Sequence, residues 1–89
     1  MKKQYIQIAE YTPGPHGRSD PKVIKWSDGR SFRIDEVLDI TFSLNNEYKG
    51  YRYTVRIGSV EKYIYLDNNQ WYVFIPEKKV LRAYWNSLH

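Results

Sequence analysis

Arg52, Arg56, Tyr63, Tyr65, Tyr72 and Phe74 are the side chains whose types and spacing could do chemistry in this chain. They recur at alternate positions of a stretch, Tyr51 to Ile75, that reads as three consecutive antiparallel strands. Alternation puts all six on one sheet face. Guanidinium groups beside rings suit binding rather than bond-breaking. Single-stranded nucleic acid uses such a surface: bases stack on rings for about 1–3 kcal/mol each while arginines meet phosphates. An extended or proline-rich peptide can grip the same surface. The plainer account is sheet stabilisation, since cross-strand Arg–Tyr and Arg–Glu pairs contribute about 0.2–1 kcal/mol each.

The remaining candidates for chemistry are thin. His16 sits in a Pro-Gly segment and His89 is the last residue, neither beside a carboxylate or nucleophile at a useful spacing. Asp35, Glu36 and Asp39 form an acidic cluster. Paired carboxylates can do acid–base work or hold a hard cation. Here they are read as solvated charges that balance Arg33 and Lys25. The run Pro13-Gly-Pro-His-Gly17 lacks the lysine and following helix of a phosphate-cradling loop. With no cysteine, there is neither a disulfide framework nor a thiolate metal site. No catalytic set, metal site or cofactor is expected, and the chain is read as not an enzyme.

The totals agree. A length of 89 residues means one domain with a small core. Fifteen aromatics, nine of them tyrosine, make 17% of the chain and lean it toward strands. The net charge of +4 admits a nucleic-acid partner but is also ordinary solvated charge. No apolar run is long enough for a signal peptide or a bilayer span, so the expectation is a cytoplasmic protein without a membrane partner.

The elements that must position the six residues are strands at about 4–11, 22–27, 30–44, 51–57, 60–66 and 71–75, then a helix over 77–88. Between the first two strands, Thr12 to Pro21 holds three prolines and two glycines and is read as an exposed loop. Side-chain parity sets the next turn. A three-residue loop pairs Trp26 with Arg30 and Ile24 with Phe32 on a common face, which predicts a type I turn plus bulge with Gly29 left-handed. The alternation slips at Asp35 to Leu38, predicting a bulge or corner. Gly58-Ser59 predicts a type II′ turn that pairs Ile57 with Val60, Val55 with Lys62, Tyr53 with Ile64 and Tyr51 with Leu66. On the other face it pairs Arg56 with Glu61, Thr54 with Tyr63 and Arg52 with Tyr65. The turn at Asn68-Asn69 then opposes Leu66 to Trp71.

These elements predict a mainly β fold: a small antiparallel, partly open barrel of about five or six strands, of SH3-like or OB-like size, with a C-terminal α-helix. The alternative is a curved sheet packed on that helix. The predicted core is Trp26, Phe32, Ile34, Leu38, Ile40, Val55, Ile57, Ile64, Leu66, Trp71 and Val73. Val80, Leu81, Tyr84, Trp85 and Leu88 form the helix's apolar stripe, which needs a surface, and the aromatic sheet face is one candidate.

Trp26 to Asp39, Gly50 to Gly58 and Trp71 to Val73 together resemble a family of small uncharacterised bacterial proteins. The shared pattern is a tryptophan, a glycine turn, an aromatic, a Val-Leu-Asp segment, an Arg-Tyr strand and a closing tryptophan. It covers roughly residues 22–75. Its positions are core and turn positions, so the resemblance implies the fold and assigns no reaction or ligand. The functional expectation is a non-enzymatic protein-interaction module, with another protein or a second copy of itself as partner. Single-stranded nucleic-acid binding through the same face is the alternative.

Overall fold

In a computed structural model, which describes residues 2–43 and 48–75, the chain forms seven strands. They are β1 (Lys2–Pro13), β2 (Ser19–Lys25), β3 (Ser31–Arg33), β4 (Glu36–Ser43), β5 (Gly50–Ile57), β6 (Val60–Asp67) and β7 (Gln70–Ile75). All pairings are antiparallel, in the spatial order β3-β2-β1-β7-β6-β5-β4. The sheet curls into an open half-barrel. Two hydrogen bonds show why it must curl. The Ile34 N–H donates to the Lys22 carbonyl (2.8 Å) and the Asp35 N–H to the Arg56 carbonyl (2.9 Å). Consecutive residues thus bond to opposite ends of the strand order, and the two sheet edges meet at this corner.

The mainly β, antiparallel, partly open architecture is as the sequence predicts, but the described residues form seven strands. The predicted strand over 30–44 is two strands, β3 and β4, separated by the corner. The Pro-Gly segment is less of a loop than its composition suggests. Tyr11 pairs with Pro21, Thr12 with Asp20 and Pro13 with Ser19, leaving a tip with a short 3-10 turn at Pro15–Gly17. Proline survives here because these parts of β1 and β2 are flanked by a strand on one side only, so an absent N–H breaks no second ladder. Asp20, buried beneath the tip, receives the Arg18 guanidinium on both carboxylate oxygens. The helix expected over 77–88 lies outside the described residues, as does Leu44.

β1 does two jobs. Lys2 to Ile6 pair with β7, Gln7 to Pro13 pair with β2, and register shifts between Ile8 and Tyr11 mark the change of partner. A bulged strand that leaves one ladder for another turns a corner in the sheet. The concave side holds the core: Ile6, Ile24, Trp26, Ile34, Tyr53, Val55, Ile57, Ile64, Trp71, Val73 and Ile75 are buried together. Phe32, Val37, Ile40 and Leu66 pack against them, half-buried. Trp71 donates its indole N–H to the Tyr11 hydroxyl (3.1 Å) and lies 5.0 Å from the Tyr53 ring.

Leu38 is the one predicted core residue on the wrong side, 41% exposed. The register slips between Val37 and Asp39 opposite β5, so Leu38 is the extra residue of a bulge and Val37 takes the inward position opposite Val55. The slip was legible; its direction was not, because Val37 and Leu38 are both apolar.

The β2–β3 turn has the geometry that parity demands. The Gly29 N–H donates to the Trp26 carbonyl (3.0 Å) and the Trp26 N–H to the Arg30 carbonyl (2.9 Å). Ile24 faces Phe32, and Gly29 sits at φ 91°. Among the described residues, nothing beyond its chain neighbours would lie within 4 Å of a Cβ at Gly29, so a substitution there meets backbone strain alone. Gly29→Val is expected to destabilise the domain by about 1–2 kcal/mol. A denaturation midpoint equal to the parent's would contradict the left-handed assignment.

Candidate functional site

The convex face of β1, β7, β6 and β5 carries a row of residues in direct register. Tyr5 opposes Tyr72, Tyr72 opposes Tyr65, and Tyr65 opposes Arg52. Neighbouring positions on the same face bring Lys3, Phe74 and Tyr63, and Tyr48 reaches over from the segment before β5. The Tyr65 and Tyr72 rings stack, 5.1 Å apart and 11° from parallel. Phe74 meets both edge-on at 5.0 and 5.5 Å, Tyr48 lies 5.2 Å from Tyr65, and Tyr5 is T-shaped to Tyr72 at 6.1 Å. Edge-to-face and offset contacts of this kind add about 0.5–1.5 kcal/mol each beyond area burial.

The rings fall into two classes. Tyr65 and Tyr72 are buried, Tyr72 to 2% exposure, and form a second, outer hydrophobic cluster with Tyr48 and Phe74. Tyr5 and Tyr63 stand out into solvent at 51% and 50%. Two cations lean over the rings. Lys3 Nζ lies 4.3 Å from the Tyr72 centroid, and the Arg52 guanidinium lies 4.4 Å from Tyr63 and 5.3 Å from Tyr48. Arg52 Nε is buried with no hydrogen-bond partner among the described residues. The ring contacts to Tyr63 and Tyr48 hold this side chain in place of a bond to Nε.

Five of the six residues singled out in the sequence are thus brought together: Arg52, Tyr63, Tyr65, Tyr72 and Phe74. Arg56 is on the same face but belongs to another group. Its guanidinium lies 3.6 Å from Glu36 and 3.9 Å from Asp35, it donates to the Gly58 carbonyl (2.8 Å), and Glu61 is its cross-strand neighbour. Asp35 also accepts the Gly58 N–H at 2.6 Å. Asp35 and Glu36 therefore balance Arg56, in place of the expected Arg33 and Lys25, because the corner at Ile34–Asp35 delivers them to the end of β5. No group of three His, Cys, Asp or Glu residues able to hold a metal ion occurs among the described residues. Nor does any helix among them have the length and apolar character to cross a membrane.

Lys3, Tyr5 and Tyr48 were missed. Tyr5 shares its parity with Gln7 on β1, a signal present in the sequence. The β1–β7 ladder that carries it to Tyr72 joins residues almost the whole described chain apart, and no local pattern announces it. Tyr48 lies just before β5, where alternation has no hold.

Burial raises the Tyr72, Tyr65 and Tyr53 hydroxyls above the ordinary 10.0; nearby Asp67 adds to the first and Asp20 to the last, while Arg52 opposes the shift at Tyr65. Because the folded pKa values lie higher, the unfolded chain loses these protons first. Their contribution to stability is intact below about pH 10 and is lost as the pH rises past it. Denaturation midpoints should therefore fall in that alkaline range. Tyrosinate absorbance of the folded protein should lag behind that of the unfolded chain, and coincident curves would refute the burial argument.

A cavity of about 870 Å³ opens beside this surface, where the β2–β3 and β6–β7 turns flank the bend of β1. Tyr5 borders both. Its other walls include Ile6, Ile8, Trp26 and Trp71, and Lys25 is the charged side chain among its described lining residues. Its described lining residues include no carboxylate or imidazole.

Neither a family model, nor a curated protein, nor a solved structure matches the chain.

Proposed function

We propose that the protein is a non-enzymatic interaction module that binds another protein through the convex face of β1, β7, β6 and β5. The observation that carries this reading is the division of labour among the rings. Buried Tyr65 and Tyr72 form a rigid base, and the exposed rings of Tyr5 and Tyr63 stand on it beside Lys3 and Arg52. Tyrosine and arginine anchors set in a packed surround are what concentrates binding energy at protein interfaces.

Three features favour a protein over single-stranded nucleic acid. Tyr65 and Tyr72 spend their faces on each other, so no base can stack between them. Arg52 covers one face of Tyr63. Arg56, needed for phosphate, is held among Asp35 and Glu36. The net charge of +4 keeps the nucleic-acid reading alive as the second hypothesis.

Sedimentation velocity over a wide concentration range tests for a second copy, and peptide arrays probed with the parent protein and Tyr63→Ser test for a different partner. Discrete self-association or peptide binding that Tyr63→Ser abolishes is the expected result. A monomer that binds no peptide, but binds oligo-dT at low salt with an affinity that falls as salt rises, would replace this reading with the second.

A further inference from the structure

Charge narrows the partner. Among the described residues, the acids on or beside the convex face are engaged elsewhere or lie beside a ring. Asp35 and Glu36 serve Arg56, and Asp39 accepts from the Thr41 hydroxyl at 3.1 Å. Asp67 lies near Tyr72 at the far end of β6. Among the described residues, no carboxylate lies within ion-pair distance of Arg52 or Lys3. Both cations lean over rings instead, which leaves their outward donors for another group.

Their placement fits one kind of ligand. The β1 and β5 backbones are three inter-strand spacings apart, about 14 Å, and both side chains lean inward over the rings between them. An extended peptide crosses that distance in about four residues. Resting on the interaction-module reading above, we infer that the convex face takes an acidic, extended segment of a partner protein. Two carboxylates spaced about three to four residues apart meet Arg52 and Lys3, and an apolar side chain between them lies against Tyr63 and Phe74.

The occupant is a carboxylate-bearing peptide rather than a phosphate chain because the space between the two cations is a floor of interlocked rings. Among the described residues, that floor offers apolar ring contact and no cation between Lys3 and Arg52 to follow a repeating charge. Carboxylates also suit the fork of donors that a stacked guanidinium keeps in one plane.

The test uses three labelled probes: a short peptide with paired glutamates around one leucine, the same peptide with glutamines, and oligo-dT. Anisotropy is read at low and high salt. The glutamate peptide is expected to bind about tenfold more tightly than the glutamine peptide at low salt, with the gap closing at high salt. Arg52→Ala and the exposed-site variant Lys3→Glu should each remove most of that gap, while Arg56→Ala should leave it. Thermal melts confirm that each variant is folded.

Equal binding of the two peptides, still sensitive to Tyr63→Ser, overturns the acidic partner and leaves the module reading standing. Absence of binding by either peptide, together with no self-association, overturns both. Stronger binding of oligo-dT than of the glutamate peptide, or self-association that Lys3→Glu abolishes, assigns the face to nucleic acid or to a second copy and overturns the inference.

Discussion

Gly50→Ala should lose about 3 kcal/mol of stability, a large part of what a domain of this size possesses. Gly50 opens β5 at φ 89°, opposite Ser43 on β4. A Cβ there would lie 2.3 Å from the Leu66 carbonyl oxygen and 3.1 Å from Asp67 Cα. The left-handed conformation alone costs a non-glycine residue about 1–2 kcal/mol. The contact adds to this, because the obstructing atoms are β6 backbone, which cannot rotate aside. Either β5 moves off β6 or the chain re-enters the strand by another path. Both disturb the ladder that places Arg52 opposite Tyr65. Urea denaturation measures the loss as a lower midpoint, and a change under about 0.5 kcal/mol would show that the approach of β5 to β6 is looser than described. Gly58, at φ 62° with no described residue beyond its chain neighbours within 4 Å of its Cβ position, is the control, since its substitution meets strain without collision.

Trp26→Ala should be at least as damaging, at about 3–5 kcal/mol. The indole is 2% exposed and meets Phe32 edge-on at 5.7 Å. Its backbone makes both hydrogen bonds that close the β2–β3 turn. Alanine keeps those backbone groups and removes the ring, so the loss reports packing. The vacated space adjoins the cavity at the bend of β1, which Trp26 already lines. The variant should therefore bind a hydrophobic dye more strongly than the parent under native conditions. A stable variant with unchanged dye binding would mean that the concave side closes without this ring.

What could be read from the sequence was what alternation and turn chemistry govern. The seven residue pairs of the β5–β6 ladder match the Gly58-Ser59 register, from Ile57–Val60 to Tyr51–Leu66. Asn68 and Asn69, both at positive φ, make the next turn and oppose Leu66 to Trp71. Once those two turns are set, all six candidate residues must share a face. The failures lie where a decision belongs to distant residues. Arg56 has the parity of Arg52, yet its environment is set by a corner some twenty residues upstream. Leu38 was placed inside because its neighbour Val37 is equally apolar and only the sheet chooses between them. Pro13 and Pro21 look like loop residues until it is known that each borders a missing strand. Lys3 and Tyr5 join the site only through a ladder between the two ends of the described chain.

That ladder also has a bearing on how the chain acquires its shape. β1, β2 and β3 form one set of neighbours in sequence and β4 to β7 another, each joined by short connections. Each set can assemble from contacts that close quickly. Joining Lys2–Ile6 to Trp71–Ile75 must bring together segments some seventy residues apart, with the high loop entropy and slow search that implies. Tyr5 and Lys3 arrive at the rings of β7 in that late step. The proposed binding face would then be completed only when the two halves close, and it would be lost first when they part. Amide exchange along the β1–β7 ladder should accordingly be faster than within β5–β6.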